Sequence, residues 1–509
     1  MNVYMLFFLA CIPIICLMIS LGKLKIPGHK ACPVAFLITV LLAIFVWKMN
    51  ITDTLTASLE GLALAIWPII LVIIAAVFTY NLSIHTGSME IIKRMMIGVT
   101  TDKRILVLIL AWGFGGFLEA IAGFGTAVAI PASILAVLGF EPVFAAIICL
   151  IANTTPTAFG AIGLPIITLS QVTGLDIHQL SYAITIQLAL MIILIPFILV
   201  ALTGRSIKAI KGVFGITLAS GLSFAIPQVF VAKFIGAELP AVIGSVVSMA
   251  VTIFIAKKFY NSPTQEENIE NKVSFKEGFM AWLPFILVFL LVMICSPLFK
   301  GIYEPLSQIK TLVQIYSGEG GKPYIFSWIV TPGILIIIAT YIGGLIQGCK
   351  FKEITIILLN TTKQMIKSAI TIVSIVALAK VMGYSGMIKS IASVLVIVTG
   401  GFYPLISPII GALGTFITGS DTSANVLFGE LQVQAANAIG ANPYWIAGGN
   451  VMGATAGKMI SPQSIAVATA ATNLVGNEGK ILNSTLKVCL FYIVLSGLIV
   501  FFCGPIFGF

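Results

Sequence analysis

The sequence predicts an all-α polytopic membrane protein with about 12 transmembrane crossings and two inverted repeats. Hydrophobic residues occupy 59% of the 509 positions and charged residues only 9%, which is more apolar surface than a water-soluble core can bury. Ten apolar runs are long enough to cross ~30 Å of hydrocarbon. Two further apolar blocks, 105–170 and 402–470, are interrupted by matching Gly, Asn and Pro residues. These patterns indicate a chain that crosses a membrane many times and contains a duplicated, irregular segment.

The ten apolar runs are spread along the chain outside the two blocks. They lie at roughly 4–22, 31–48, 61–82, 179–203, 213–230, 239–256, 279–299, 324–347, 368–383 and 488–507. The first run ends in Lys23 and Lys25 and has no small-residue cleavage site, so we interpret it as a span and not as a signal peptide.

The distribution of cations among the loops predicts the orientation of the spans. Loops that follow residues 22, 82, 203, 256, 347 and 470 hold 20 of the 28 Lys and Arg residues, and the opposite loops hold six. By the positive-inside rule the first set is cytoplasmic, and both termini lie outside. The remaining two cations, Lys380 and Lys458, fall inside apolar segments.

The two interrupted blocks are predicted to be inverted copies of one another. They share Asn153, Gly160 and Pro165 in the first block and Asn450, Gly457 and Pro462 in the second. The Asn-to-Gly step is seven residues and the Gly-to-Pro step is five in both blocks, at a constant offset of 297. Because the first block starts from the cytoplasmic face and the second from the outer face, the repeat is inverted.

Each block is too long for one span, and we interpret each as a re-entrant hairpin followed by a broken helix. A charged stretch between the halves is interpreted as a cytoplasmic linker. The predicted organisation is an N-terminal half, 1–256, with a hairpin at about 105–138 and a broken helix at about 143–170; the linker, 257–278; and a C-terminal half, 279–509, with a hairpin at about 402–438 and a broken helix at about 444–470.

The hairpin tips and helix breaks predict a binding site. Irregular backbone at membrane depth is tolerated only where protein or a water-filled cavity covers it, so tips and breaks should converge there. Helix N-termini at such breaks direct partial positive charge towards an anion. The candidate substrate-binding residues are Lys458, Asn153, Thr154, Thr155, Asn450, Thr422, Ser423, Gly123, Gly125, Gly419 and Ser420.

Four ionisable side chains fall in these apolar segments, where a charge costs about 2.5–3.5 kcal/mol on insertion scales. Glu119, just before the first tip, and Asp421, in the second tip, are candidates for carrying a proton. Either carboxylate also suits a structural role in fastening its tip. Lys458 suits either a substrate carboxylate or an ion pair with Asp421. Lys380 lies near the end of a span, and its long side chain is expected to reach water.

No pattern of enzymatic chemistry is present in the sequence. The string Gly457-Lys458-Met459 lacks the remaining residues of a P-loop, and neither an HExxH nor a GxSxG motif occurs. The eight cysteines form no CxxC pair and have no His cluster near them in sequence. We therefore expect no enzyme activity, no cofactor and no metal site, and the net charge of +10 follows loop topology and not nucleic-acid binding.

Four long strings support a family resemblance. They are FLEAIAGFGTAVAIPASIL (117–135), CLIANTTPTAFGAIGLPI (149–166), FITGSDTSANVLFGELQ (416–432) and GKMISPQSIAVATAAT (457–472). Through them the sequence resembles the lactate permease family of bacterial lactate and glycolate carriers, over essentially the whole chain. The resemblance implies proton-coupled uptake of a small 2-hydroxymonocarboxylate, L-lactate, D-lactate or glycolate, across the bacterial cytoplasmic membrane.

The residues alone indicate an inverted-repeat secondary carrier with an anion-suited site at the membrane midplane. With the resemblance, we expect a carboxylate:proton symporter that works by alternating access. Its expected partners are the small carboxylate, protons and membrane lipid, and a homo-oligomer is left open. Two alternatives remain: a sodium-coupled carrier of another carboxylate, since unwound carbonyls also suit Na⁺, and, with less support, an ion channel built from the two re-entrant tips.

Overall fold

Helices account for nearly all of the regular structure of this chain. The computed structural model describes every residue except 1, 18, 21–23, 25, 98, 122, 124, 261–272, 296–298, 322 and 473–477. The predicted all-α polytopic class is confirmed. Most of the predicted linker, 257–278, lies outside the described residues.

The N-terminal half is a series of apolar helices joined by short turns. They are α1 Val3–Leu17, α2 Gly28–Phe45, α3 Ile51–His85, α4 Ser88–Ile97, α5 Lys103–Ile121, α6 Thr126–Val137, α7 Pro142–Ala152, α8 Gly160–Thr173, α9 Ile177–Thr203, α10 Phe214–Phe234 and α11 Pro240–Phe259. Short 3-10 turns occupy Pro156–Phe159 and Ile207–Ile210.

The C-terminal half also consists mainly of apolar helices, and its described residues include one small sheet. Its elements are α12 Phe275–Ile294, α13 Lys300–Ser307, β1 Lys310–Val313, β2 Tyr324–Ser327, α14 Pro332–Ile346, α15 Phe351–Ser385, α16 Met387–Thr399, α17 Tyr403–Thr418, α18 Asp421–Ile439, α19 Pro443–Lys458, α20 Pro462–Ala471 and α21 Glu478–Phe502, with 3-10 turns at Gly400–Phe402 and Pro505–Phe507.

The number of spans is slightly lower than the 12 crossings expected. Among the described residues, ten helices are long and apolar enough to cross a membrane, or 11 when the bent pair Pro142–Ala152 and Pro156–Thr173 counts as one span. Two predicted spans, at 4–22 and 324–347, form helices of only 15 residues, α1 and α14. These two helices are therefore shorter than the regular spans.

Two helix pairs turn sharply at glycines and form hairpins. The first pair is α5 and α6, which turn at Gly123 and Gly125, and the second is α17 and α18, which turn at Gly419. All three glycines have positive φ, where a Cβ is unfavourable. Helix α5 lies in the interior of the bundle, with 94% of its apolar stretch buried against 28% for α2. The inverted relation between the two hairpins stays a prediction.

Glycines let helices α17 and α19 approach closely. A Cβ added to Gly411 would overlap the carbonyl oxygen of Asn450, and one added to Gly453 would overlap that of Pro408. Small residues at a helix interface in a membrane allow backbones to touch and gain dispersion contacts over their length. This contact fixes the second broken helix against the second hairpin.

The sheet on the predicted outer side was not expected from the sequence. Strands β1 and β2 pair antiparallel, with Lys310 opposite Ser327. Their Thr, Val, Tyr, Ile and Phe residues favour strands. The segment between them is tied to the start of α3, because Ser317 donates to Asp53 at 2.8 Å.

Candidate functional site

A cavity of about 820 Å³ lies where the two hairpin tips meet the two helix breaks. Both tips contribute to its wall, together with the start of α8, the end of α19 and the start of α20. The polar or tip residues that line it include Glu119, Gly123, Gly125, Thr157, Thr418, Gly419, Ser420, Asp421, Thr422, Ser423, Lys458, Gln463 and Ser464. Nine of these belong to the predicted site; Thr157, Thr418, Gln463 and Ser464 do not.

The second tip presents the N-terminus of α18 to the cavity. Gly419 has φ +72 and ends α17, and Ser420 caps α18 by accepting a hydrogen bond from the Ser423 backbone N–H at 3.3 Å. The first turn of a 19-residue helix therefore opens on the cavity through Ser420, Asp421 and Thr422. Unpaired N–H groups and the helix dipole make such a turn favourable for an anion.

The second helix break adds a cation and another helix N-terminus. Lys458 is the last residue of α19, and its Nζ donates to the carbonyl oxygen of Gly419 at 3.1 Å. Helix α20 begins at Pro462, and the Ser461 hydroxyl oxygen accepts a hydrogen bond from the Ser464 N–H at 3.1 Å. Lys458 and two helix N-termini thus surround one cavity, an arrangement suited to a carboxylate.

Lys458 and Asp421 do not form the ion pair considered from the sequence. Among the described residues, no ion pair joins the Lys458 ammonium to the Asp421 carboxylate, although the two charges are close enough to interact. The Lys458 ammonium instead contacts backbone at the tip. Its charge is therefore accessible to an anion in the cavity.

Two buried carboxylates line this cavity. Glu119 and Asp421 are each 3% exposed. Oε1 of Glu119 accepts from the Thr157 hydroxyl at 3.1 Å, and Oδ1 of Asp421 accepts from the Thr415 hydroxyl at 3.1 Å. The second oxygen of each carboxylate has no hydrogen-bond partner among the described residues. The charges of Asp421 and Glu119 are close enough to repel each other, and the hydroxyl of Thr157 donates to Glu119.

The backbone beside Glu119 adopts a left-handed turn. Ala161 (φ 44), Ile162 (φ 56) and Gly163 (φ 75) follow the 3-10 turn at Pro156–Phe159. For the two residues with a Cβ, this conformation costs roughly 1–2 kcal/mol each. Such strain is kept where the surroundings demand it, often at functional sites. Gly160, which directly precedes this turn, lies so close to Glu119 that an added Cβ would be 2.8 Å from Oε1.

Four predicted binding residues do not line the cavity. Asn153, Thr154 and Thr155 are buried in the first break, where the Thr154 hydroxyl donates to the Ile151 carbonyl at 2.8 Å. Asn450 is held in a network inside the bundle, in which it accepts from Gln432 at 3.1 Å and donates to Asn425 at 3.0 Å. These four residues are buried and do not line the cavity, and their role as ligands stays a prediction.

The sequence offered a signal for three of the residues that were missed. Thr157 lies four residues after Asn153 within the string CLIANTTPTAFGAIGLPI, and Gln463 and Ser464 follow the cap-and-proline pair Ser461-Pro462, a typical helix start. In each case these cavity-lining residues lie a few positions beyond the residues that we predicted.

The fold and cavity define a multi-pass membrane protein with an anion-suited site at the junction of two hairpin tips. Residues 6–507 match the family described as L-lactate permease. The chain is 58% identical to the L-lactate permease of Streptococcus iniae over 86% of this chain and 92% of that protein. It is 35% identical to the glycolate permease GlcA of Escherichia coli (strain K12) over 96% of this chain and 94% of that protein. The chain belongs to the L-lactate permease family and is a membrane permease, not an enzyme.

Two solved structures share the fold at low sequence identity. The YdaH transporter of Alcanivorax borkumensis is 13% identical with a TM-score of 0.54, covering 94% of this chain and 99% of that one. MtrF of Neisseria gonorrhoeae is 11% identical with a TM-score of 0.51, covering 92% and 94%. At this identity the likeness concerns the fold alone.

Proposed function

We propose that this protein is a proton-coupled symporter that carries a small 2-hydroxymonocarboxylate, lactate or glycolate, across the bacterial cytoplasmic membrane by alternating access. One observation carries the proposal: a single cavity combines a cation and two helix N-termini with two buried carboxylates. The first set suits the substrate anion and the second suits a proton. The names of the relatives, L-lactate and glycolate permeases, support this substrate class.

The substrate carboxylate is assigned to the Lys458 side of the cavity. An ammonium that already donates to the Gly419 carbonyl has further N–H groups for a second acceptor. Ser420, Thr422 and Ser464 supply hydroxyls nearby for the 2-hydroxyl group. A monocarboxylate needs one cation and a few hydrogen bonds, and this wall of the cavity has both.

The proton is assigned to Glu119 and Asp421. A carboxylate with a buried oxygen that lacks a partner is costly when ionised, so protonation relieves that cost. Thr157 donates its one hydroxyl proton to Glu119, and Thr415 donates to Asp421. The two acids repel each other when both are ionised, so a proton on one of them relieves that repulsion. The pair therefore suits one proton, and one proton with one monocarboxylate moves no net charge.

The position of the cavity supports an inward-open state. Its wall includes Pro27 and Gly28 at the start of α2 and Glu478 and Gly479 at the start of α21. Both starts follow loops that the cation distribution predicts to be cytoplasmic. Alternating access then requires a second state in which these residues close the cavity and the outer side opens.

The test is uptake of labelled lactate and glycolate into proteoliposomes under an imposed pH gradient, with sodium replaced by choline. We expect acid-stimulated, saturable uptake that does not depend on sodium. Uptake that requires sodium and ignores pH would favour the sodium-coupled carrier, and currents far above carrier turnover would favour a channel. Glu119→Gln and Asp421→Asn should each abolish the acid stimulation while leaving counterflow exchange measurable. If both variants keep the wild-type pH dependence, the proton assignment is wrong.

A further inference from the structure

Three side chains with metal-binding donor atoms converge at the predicted cytoplasmic side, away from the cavity. His85 is the last residue of α3, Cys349 lies in the turn between α14 and α15, and Glu353 is in the first turn of α15. One ligand atom from each lies within 4.8 Å of the others. Among the described residues this is the only such group of His, Cys, Asp and Glu side chains. The three residues are distant in sequence, so only the fold brings them together.

The three donors lie on a packed and hydrogen-bonded scaffold. Phe78, Leu82 and Ile354 form a separate, fully buried apolar cluster, and Cys349 packs against it. This cluster joins the end of α3 to the start of α15. The turn is held by hydrogen bonds from the Cys349 N–H to the Gly344 carbonyl and from the Lys350 N–H to Oε2 of Glu353. The donors are therefore positioned by packing and not by the ion itself.

The donor set selects a class of metal. An imidazole nitrogen, a thiolate sulfur and a carboxylate oxygen are ligands of Zn²⁺, whereas Mg²⁺ and Ca²⁺ prefer oxygen alone. Three protein ligands leave a fourth tetrahedral position for water. His85 is exposed and the other two are half-buried, so an ion reaches the group from solvent. A reducing cytoplasm keeps the Cys349 thiol available.

We propose that His85, Cys349 and Glu353 form a Zn²⁺-binding site that ties the cytoplasmic end of α3 to the start of α15. The two helices run antiparallel against each other, and the far end of the pair is already joined by an ion pair between Lys380 of α15 and Glu60 of α3. Zinc at the near end fixes the pair at both ends. Because α15 lines the cavity with Ser368 and Thr371, the ion stabilises one wall of the carrier.

The test uses the purified, untagged full chain with Zn²⁺ and with Co²⁺ as a spectroscopic probe. We expect one ion per chain and a thiolate-to-Co²⁺ charge-transfer band. Cys349→Ser should remove the band, and His85→Ala should weaken binding by at least roughly tenfold. The matched controls are Cys503→Ser, a half-buried free cysteine elsewhere, and His178→Ala, and both should bind as the wild type does.

A second measurement avoids dependence on variants that fold poorly. In the wild-type chain, Zn²⁺ should slow the labelling of Cys349 by a maleimide and leave the labelling of Cys503 unchanged. Binding without a thiolate band, an unchanged spectrum in Cys349→Ser, or labelling of Cys349 that is insensitive to Zn²⁺ would each overturn the proposal. None of these outcomes depends on transport, so they are independent of the proposed symport.

Discussion

The ammonium nitrogen of Lys380 lies 2.9 Å from Oε1 of Glu60, and the two side chains are only 18% and 5% exposed. Tyr384 donates to the same oxygen at 2.8 Å, and its ring stacks on that of Tyr316. The sequence-based expectation that Lys380 reaches water was wrong, because a buried acid on the neighbouring helix α3 satisfies its charge. Helices α3 and α15 are therefore joined electrostatically inside the protein.

Removing one partner of this ion pair should destabilise the protein strongly. Glu60→Gln leaves the largely buried Lys380 ammonium without its ion-pair partner, and Lys380→Met does the same to Glu60. Loss of one partner of a buried pair costs about 3–5 kcal/mol. The double variant removes both charges and should recover most of that loss. Thermal unfolding of the three variants in detergent measures the effect, and a double variant as unstable as either single one would contradict it.

The partly exposed pair Asp102–Arg104 provides the contrasting case and a pH dependence. Burial raises the pKa of Asp102, but hydrogen bonds from Arg104 and its charge outweigh this, and the pKa lies below its usual value. A carboxyl with a lowered folded pKa adds stability above its unfolded pKa and loses it as pH falls through the folded pKa. Asp102→Asn should therefore lower the unfolding temperature slightly at neutral pH and not in acid. A difference that grows as pH falls would contradict this.

The features of the fold that could be predicted are those that local backbone geometry and the length of apolar runs determine. Glycines such as Gly125 and Gly419 mark the tips because only a residue without a Cβ suits their positive φ. Apolar run length located the regular spans, because each must cross the hydrocarbon. The β1–β2 hairpin escaped prediction because β1 is too short to show a clear periodicity, and because β2 opens the apolar run 324–347 that we predicted as a span.

The site was predictable at the level of segments and less so at the level of side chains. Lys458, Asp421 and Glu119 stood out because charge is costly in apolar runs. Thr157 did not, because the 3-10 and left-handed turns after Asn153 decide which side chains face the cavity. Glu60 was missed because it borders a predicted span and its partner is contributed by a distant helix. Tertiary contacts, not local pattern, set these assignments.

Thr157→Val tests the hydroxyl that donates to Glu119. Valine keeps the volume but cannot donate to Oε1 of Glu119. We expect proton-driven uptake to fall by roughly tenfold, since a hydrogen bond to a charged group contributes about 1.5–3 kcal/mol. The matched control is Thr154→Val, whose hydroxyl bonds within its own segment, and it should transport normally. Equal loss in both variants would show that the effect is structural.

The close contact of α17 and α19 should not tolerate a methyl group. Gly453→Ala places a Cβ against the Pro408 carbonyl, and backbone there can move only by separating the helices. Overpacking of this kind costs about 1–3 kcal/mol or more. The control is Gly215→Ala near the start of α10, where no atom would contact the new Cβ, and its stability should stay the same or rise slightly. The check is the unfolding temperature; similar values for both variants would contradict the packing.

Lys458→Gln separates substrate binding from structural support. If the Lys458 ammonium holds the substrate carboxylate, its loss should raise KM roughly tenfold or more, because a charge-assisted hydrogen bond is replaced by a neutral one. Glutamine can still donate to the Gly419 carbonyl, so the tip should remain folded and the unfolding temperature should change little. The control Lys389→Gln removes an exposed cation on α16 and should leave KM unchanged. An unfolding temperature that falls while KM stays constant would assign Lys458 to fastening the tip, because then the charge serves the protein and not the anion.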